Sequence, residues 1–463
     1  MLWFCNIFGY ARNERPDQYA APCYLCLENI MRSSPLILLL AGLFVSLNAH
    51  SENLLQVYKD ALANDSQFAS AHAALEAGQE KVTQGRAGLL PSLGISGDRT
   101  KTTYEGYTTF TGNGYTISLS QPLFNWANYQ QYEQGKLAAA TSEAQFAQTQ
   151  EDLITRVAQA YFDVLAAQDS LAFIRAQKIA IAEQLESAKR NFEVGTATIT
   201  DTHEAQARFD LAVAQELAGI SDLQIKQAAL QLIIGKNAGE LATLRNGTSI
   251  SSPSPQQMAP WIKSAETQNY GVVAAQLAVE NAKRTISLNR AGHYPTVNLV
   301  ASRQYVSPER AAATYYRPDL EYINSVGIQW NIPLFAGFGV TSRVREAIAL
   351  EDKARNDLET TRRNAAQLAR QSYLGVTSGL AQIKALEAAE VSSQSALESN
   401  KLGYEVGVRI NIDVLNAQQQ LYSTRRDLAK ARYDTILNGL KLKSAAGTLR
   451  EEDIVQVNSL LQY

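Results

Sequence analysis

The apolar positions Leu153, Val157, Ala160, Val164, Ala167, Leu171 and Ile174 step by alternating fours and threes, the spacing of a coiled-coil face. The surrounding stretch, Trp126 to about Val194, is nearly free of Pro and Gly and rich in helix formers. It predicts a single helix reaching roughly 100 Å at ~1.5 Å per residue, where an ordinary globular helix has about a dozen residues. A second rod is predicted from about Val340 to Tyr404. Each rod ends in a similar turn, Glu193-Val194-Gly195 and Glu405-Val406-Gly407, with Gly suited to a left-handed C-terminal cap. Return helices then start near Asp201 and Asp413, acidic residues favourable at a helix N-terminus. They run to about Gly235 and Gly447, so the rods fold into hairpins with tight tips.

The period changes to two before each rod. Ile117-Ser118-Leu119-Ser120 and the run Val326 to Ile332 alternate apolar with small or polar residues, as half-buried strands do. The predicted strand pairs are Ser92–Tyr104 with Asn113–Leu123, and Thr296–Val306 with Leu320–Leu334. Their loops carry Tyr104, Tyr107, Phe110 and Tyr115 in one pair and Tyr305, Tyr315, Tyr316 and Tyr322 in the other. Strands of about 10 residues flanked by aromatics match transmembrane β-barrel strands. A soluble hairpin with exposed tyrosines is the alternative for either pair alone; two matched pairs favour the membrane. Four strands cannot close a barrel, and open edges cannot face lipid, so several chains must share one.

The whole order is duplicated. Pro122-Leu123-Phe124 recurs 211 residues later as Pro333-Leu334-Phe335, and Glu193-Val194-Gly195 recurs 212 later as Glu405-Val406-Gly407. Asp201 with Ala205-Gln206 recurs as Asp413 with Ala417-Gln418. This is duplication of a structural half, since solenoid units repeat every 20 to 50 residues or so. Between the halves, Lys236 to Pro260 breaks the helical pattern with Gly239, Gly247, Pro253, Pro255 and Pro260.

Met31-Arg32 followed by the apolar run Leu36 to Leu47, with small residues near Ala49 and Ser51, has the form of a signal peptide. Residues 1–30 then read as a start-site artefact or leader. Cys5, Cys23 and Cys26 all fall there, leaving the mature chain without cysteine. With 42 Lys+Arg against 45 Asp+Glu, no nucleic-acid partner is indicated. His50, His72, His203 and His293 are scattered, none beside a Cys or carboxylate set at metal spacing. No Gly-rich phosphate loop is present. An enzyme is disfavoured, and neither cofactor nor metal is expected. A periplasmic coiled-coil scaffold or adhesin without a pore is the other rival; it accounts for the rods but not for the strand pairs.

Leu89-Leu90-Pro91-Ser92-Leu93, Gln121-Pro122-Leu123-Phe124, Ile332-Pro333-Leu334-Phe335 and Ile412-Asp413-Val414-Leu415-Asn416-Ala417 resemble the TolC family of outer-membrane channels, as does Ala431-Arg432-Tyr433 followed by Leu440 to Leu449. The resemblance covers Glu52 to about Leu461. It implies a mainly α, α+β fold in which three chains share a twelve-stranded barrel above a long periplasmic α-barrel. It divides the chain into a signal at 31–51, a first repeat at 52–235, an equatorial insertion at 236–260, a second repeat at 261–447 and an equatorial tail at 448–463. It implies a passive exit duct in the outer membrane of a Gram-negative cell, serving multidrug efflux and type I protein secretion. A periplasmic adaptor and an inner-membrane pump of ABC, RND or MFS type would supply cargo and energy, and the duct would open at the helical tip. Asp413 then matches a pore-constriction aspartate. Asn416, one turn on, replaces a second, leaving one carboxylate ring where the family pattern has two. Tyr404 and Arg409 match residues that hold the tip closed against Thr200 and Asp201.

Overall fold

The structure, a computed structural model, describes residues 52–103, 109–245, 247–315, 317–319 and 321–462. The leader, the signal segment, the three cysteines, His50, Tyr104, Tyr107, Tyr316 and Leu320 lie outside the described residues.

Two helices dominate: α3 (Trp126–Glu193, 68 residues) and α8 (Gly339–Glu405, 67 residues). Asn125 caps the first, its side chain accepting from Asn128 N at 3.1 Å. Each long helix changes partner along its length. Towards its start, α3 packs on α2 (Ser66–Ala87) and α8 on α6 (Tyr270–Arg290); towards its end, α3 pairs with α4 (Ile199–Ile234) and α8 with α9 (Asn411–Ala445). α6 and α9 also pack on α3, tying the two halves together.

The main core lies where the helices exchange partners. Leu153, Val157, Ala160, Val164, Ala167 and Leu171, the heptad positions of α3, are all buried. Leu153, Val157, Ala160 and Val164 pack in one core with Leu54, Val57 and Ala61 of α1 (Leu54–Asn64), Leu230 and Ile234 of α4, and Tyr433, Leu437 and Leu440 of α9. Tyr161 donates to Ala242 O at 2.7 Å, bringing the insertion onto this core. α5 (Met258–Gln268) leads from the insertion to α6. The tail forms α10 (Glu451–Asn458) and then the short strand β6 (Leu461–Gln462), which pairs with β3 (Thr243–Leu244) of the insertion. Two acids pin this collar. Asp65 accepts from Phe68 N at 2.7 Å and from Arg156 at 2.8 Å. Burial raises its carboxyl, but these bonds to the charged form outweigh that and hold it below the usual range. Glu151 accepts from Leu449 N at 3.2 Å and Ser444 Oγ at 3.4 Å, and burial pushes it up to about 7.

At the other end of the molecule is one antiparallel sheet of β1 (Ser92–Thr102), β2 (Phe110–Phe124), β4 (Thr296–Val306) and β5 (Tyr322–Asn331), in the order β1-β2-β4-β5. β2 starts three residues before the predicted Asn113. β5 stops at Asn331, short of the predicted Leu334, because Asn331 pairs with Thr296, the first residue of β4, and the residue before it, Pro295, has no N–H for a ladder. The register sorts the faces. Ile95, Ile117, Leu119, Leu299, Ala301, Val326, Ile328 and Trp330 share one face, with Arg303 and Asn324 beside Ile117 and the Arg303 guanidinium over the Tyr322 ring. Asp98, Thr116, Ser118, Ser302, Gln304 and Ser325 share the other. On the apolar face, Tyr115, Tyr305 and Tyr322 lie side by side with ring centroids 5.3 and 5.6 Å apart, at the end of the sheet far from the long helices. Near the helical end the rings of Phe335 and Phe338 meet edge to face, both exposed. An aliphatic band between two aromatic girdles is the lipid-facing pattern of a membrane barrel. The outer edges of β1 and β5 have no strand beside them among the described residues.

Candidate functional site

At the end remote from the sheet, the two hairpin tips lie side by side. Their turns are built alike. In the first, Gly195 takes φ 78°, and the amides of Thr196 and Ala197 both donate to Asn191 O, at 2.8 and 3.2 Å. In the second, Gly407 takes φ 77°, and Val408 and Arg409 both donate to Gly403 O, at 2.8 and 3.0 Å. These left-handed glycines reverse the chain, as the sequence predicts.

The helix starts that follow are not alike. Thr198 caps α4: its hydroxyl accepts from Asp201 N at 3.3 Å, while the Asp201 carboxylate accepts from Thr198 N at 2.9 Å and Thr198 Oγ1 at 2.8 Å. That is a reciprocal capping box. Ile410 occupies the equivalent place in the second copy and has no side-chain cap to offer. The Asp413 carboxylate is therefore left outside any cap, and it sits 3.7 Å from Arg409 Nη1. Duplicated aspartates thus have different tasks: one is consumed by its own helix, the other is presented to its surroundings.

Polar side chains join the tips. Asn191 Nδ2 donates to Tyr404 Oη at 3.1 Å. The buried Asn411 accepts from Gln184 Nε2 at 2.5 Å and reaches Asp201 O at 3.5 Å. On the next turns, Arg208 of α4 donates to Gln419 Oε1 at 2.6 Å and to Asn416 Oδ1 at 3.2 Å. Apolar packing backs these bonds. Leu415 enters the first hairpin among Ile181, Leu185, Ala188, Ala205 and Ala212, while Val414 enters the second with Leu397 and Leu421. A side chain at Gly403 would place its Cβ 2.7 Å from Arg409 Cγ, so that glycine also makes room for the arginine stem.

Asp413, Asn416, Tyr404, Arg409, Thr200 and Asp201 are thus all at the tips, but not in the pairing the sequence suggests. Within one protomer Tyr404 bonds Asn191 and Arg409 faces Asp413; among the described residues neither bonds Thr200 or Asp201. Gln184, Asn191, Asn411 and Arg208 were missed. One signal could have found all four: Gln184, Asn191, Asn411 and Arg208 stand opposite Ala396, Gly403, Ile199 and Gln420 in the other copy. No group of three or more His, Cys, Asp or Glu suited to a metal occurs among the described residues.

The sequence profile of outer membrane efflux proteins matches residues 57–236 and 261–448. The outer membrane protein TolC of Vibrio cholerae serotype O1 is 34% identical over 413 residues, covering 89% of this chain and 94% of that one. The alkaline protease secretion protein AprF of Pseudomonas aeruginosa is 33% identical over 425 residues, covering 88% and 87%. The fold is shared with the outer membrane protein VceC of Vibrio cholerae, with a TM-score of 0.75, 19% identity and coverage of 85% of this chain and 96% of that one.

Proposed function

Because this chain belongs to the outer membrane efflux protein family, we propose that three copies form a passive exit duct through the outer membrane and across the periplasm. The sheet carries this reading. It has one mainly apolar and one polar face and, among the described residues, two unpaired edges, which is unstable in lipid until copies close it into a barrel. The hairpins continue that barrel as a helical tube ending at the tips. A periplasmic adaptor and an inner-membrane pump, of ABC, RND or MFS type, deliver cargo to the tip; the cargo includes drugs and secreted proteins.

The tips form the gate. A ring of Asp413 carboxylates at the axis attracts cations and resists anions, with the neutral Asn416 one turn behind it. Arg409, exposed on its turn, reaches Thr200 or Asp201 of a neighbouring copy and helps hold the ring closed, a charge-assisted contact that adaptor docking breaks.

Planar-bilayer recording of the purified protein tests the duct. Cross-linked trimers should conduct and prefer cations, and the protein should stay with outer membranes through a high-salt wash. A scaffold would wash off and give no channels. A deletion strain that becomes drug-sensitive and loses a secreted protein would establish both cargo classes.

A further inference from the structure

The outer end of the sheet carries a helix that strand pairing alone does not require. α7 (Pro308–Tyr315) follows β4 directly and is fastened to β2. Ser307 N donates to Asn113 O at 2.9 Å, and Asn113 N donates back to Ser307 Oγ at 3.1 Å. Val306, Ser307 and Ala311 are buried, so this segment is packed down rather than extended into solvent.

The side of the sheet it packs on is fixed by two glycines. Register pairs Gly112 with Thr100 and Gly114 with Asp98, all on the polar face. A Cβ at Gly112 would lie 2.8 Å from the Cβ of Arg310, and one at Gly114 would lie 3.1 Å from its Nη1. The Arg310 side chain therefore lies flat against the polar face, in space that any larger residue at either position would fill. Its Nη1 donates to Asp98 Oδ2 at 2.6 Å, crossing from α7 to β1 over the intervening strand. A loop lying on the rim would need neither the paired glycines nor this inward reach.

We infer that α7 is an inward-folded lid which narrows the outer mouth of the duct and excludes large solutes arriving from outside. This rests on the duct reading, which makes the polar face the lumen. Three copies of α7 then project into one mouth, each latched by Arg310 to Asp98. The latch is a partly exposed ion pair, and such pairs are weak. Outgoing cargo can displace it, whereas a solute in dilute solution outside meets it closed.

The predicted mature chain has no cysteine, so Ser118→Cys places a single reporter on the polar face of β2, below the lid. Intact cells carrying it are treated with a small maleimide and with maleimides on polymers of increasing size. The small reagent should label Ser118→Cys in every background. Arg310→Ala, Asp98→Arg and Gly112→Val should each shift the largest labelling polymer upward. The swap Asp98→Arg with Arg310→Asp should bring the limit back. Trimers on gels confirm that each variant folds. If the limit is the same in all backgrounds, the lid is refuted and the duct stands. If the small reagent itself never labels Ser118→Cys, the polar face is not the lumen and the duct reading fails first.

Discussion

Asn191 and Tyr404, 213 positions apart in the chain, meet at 3.1 Å where the two helical turns touch. The phenol oxygen is the acceptor, and Phe192 holds the matching place in the first copy. The bond is thus available to only one of the two turns, and it joins one hairpin to the other.

Replacing Tyr404 by Phe together with Arg409 by Ser should raise basal conductance in planar bilayers. Each lost bond is worth about 0.5–1.5 kcal/mol, and about 1.4 kcal/mol is tenfold in an opening equilibrium. Asn191→Ala should act in the same direction as Tyr404→Phe, and the two together should be less than additive because they remove one bond. Conductance equal to wild type in the Tyr404/Arg409 double variant would rule out a latch here.

Asp413→Asn should abolish most of the cation preference read from reversal potentials in a salt gradient. Asn416→Asp should increase it and introduce block by multivalent cations, since it adds a second ring one helical turn from the first. No change in reversal potential on Asp413→Asn would place the constriction elsewhere.

Ile410→Thr supplies the cap that the second copy lacks. The start of α9 should gain about 1 kcal/mol, seen as slower amide exchange there. It should also draw the Asp413 carboxylate into a capping box and weaken cation preference. Thr198→Ala should do the reverse to α4, speeding exchange at its first turn, with selectivity unchanged.

The collar should be less stable in alkaline solution. Glu151 is pushed up to about 7 in the fold, from a value near 4.3 in an unfolded chain. The unfolded chain therefore gives up this proton first, and stability present below about pH 4.3 is lost as pH rises through about 7. Solvent screening leaves a loss on the order of 1–2 kcal/mol. Denaturant midpoints at pH 5 and pH 8 should differ by less in Glu151→Gln than in wild type.

The rods and strands could be read from residue order because periods of 3.5 and 2 are local and persist over many residues. The heptad of α3 is buried from Leu153 to Leu171, as its spacing implies. The tip bonds have no period. They join polar residues such as Gln184 and Asn411, 227 positions apart, on helices where isolated Gln and Asn are common and mostly solvated. Asp201 and Asp413 match in sequence, yet Thr198 against Ile410 gives them opposite tasks, and this shows only when the caps are compared. β5 ends at Asn331 because its partner β4 begins only at Thr296, which the alternating pattern running on to Ile332 does not show.

The sheet edges at β1 and β5 also bear on how a population of chains behaves. No chain owns a whole pore; each contributes one seam to a neighbour on either side. A chain whose tip and rods are sound but whose β1 edge is spoiled would still be recruited, and would ruin the ring it joins. A cell making both sound and edge-defective copies should therefore lose far more than its proportional share of ducts, so that such alleles behave as dominant poisons rather than simple losses.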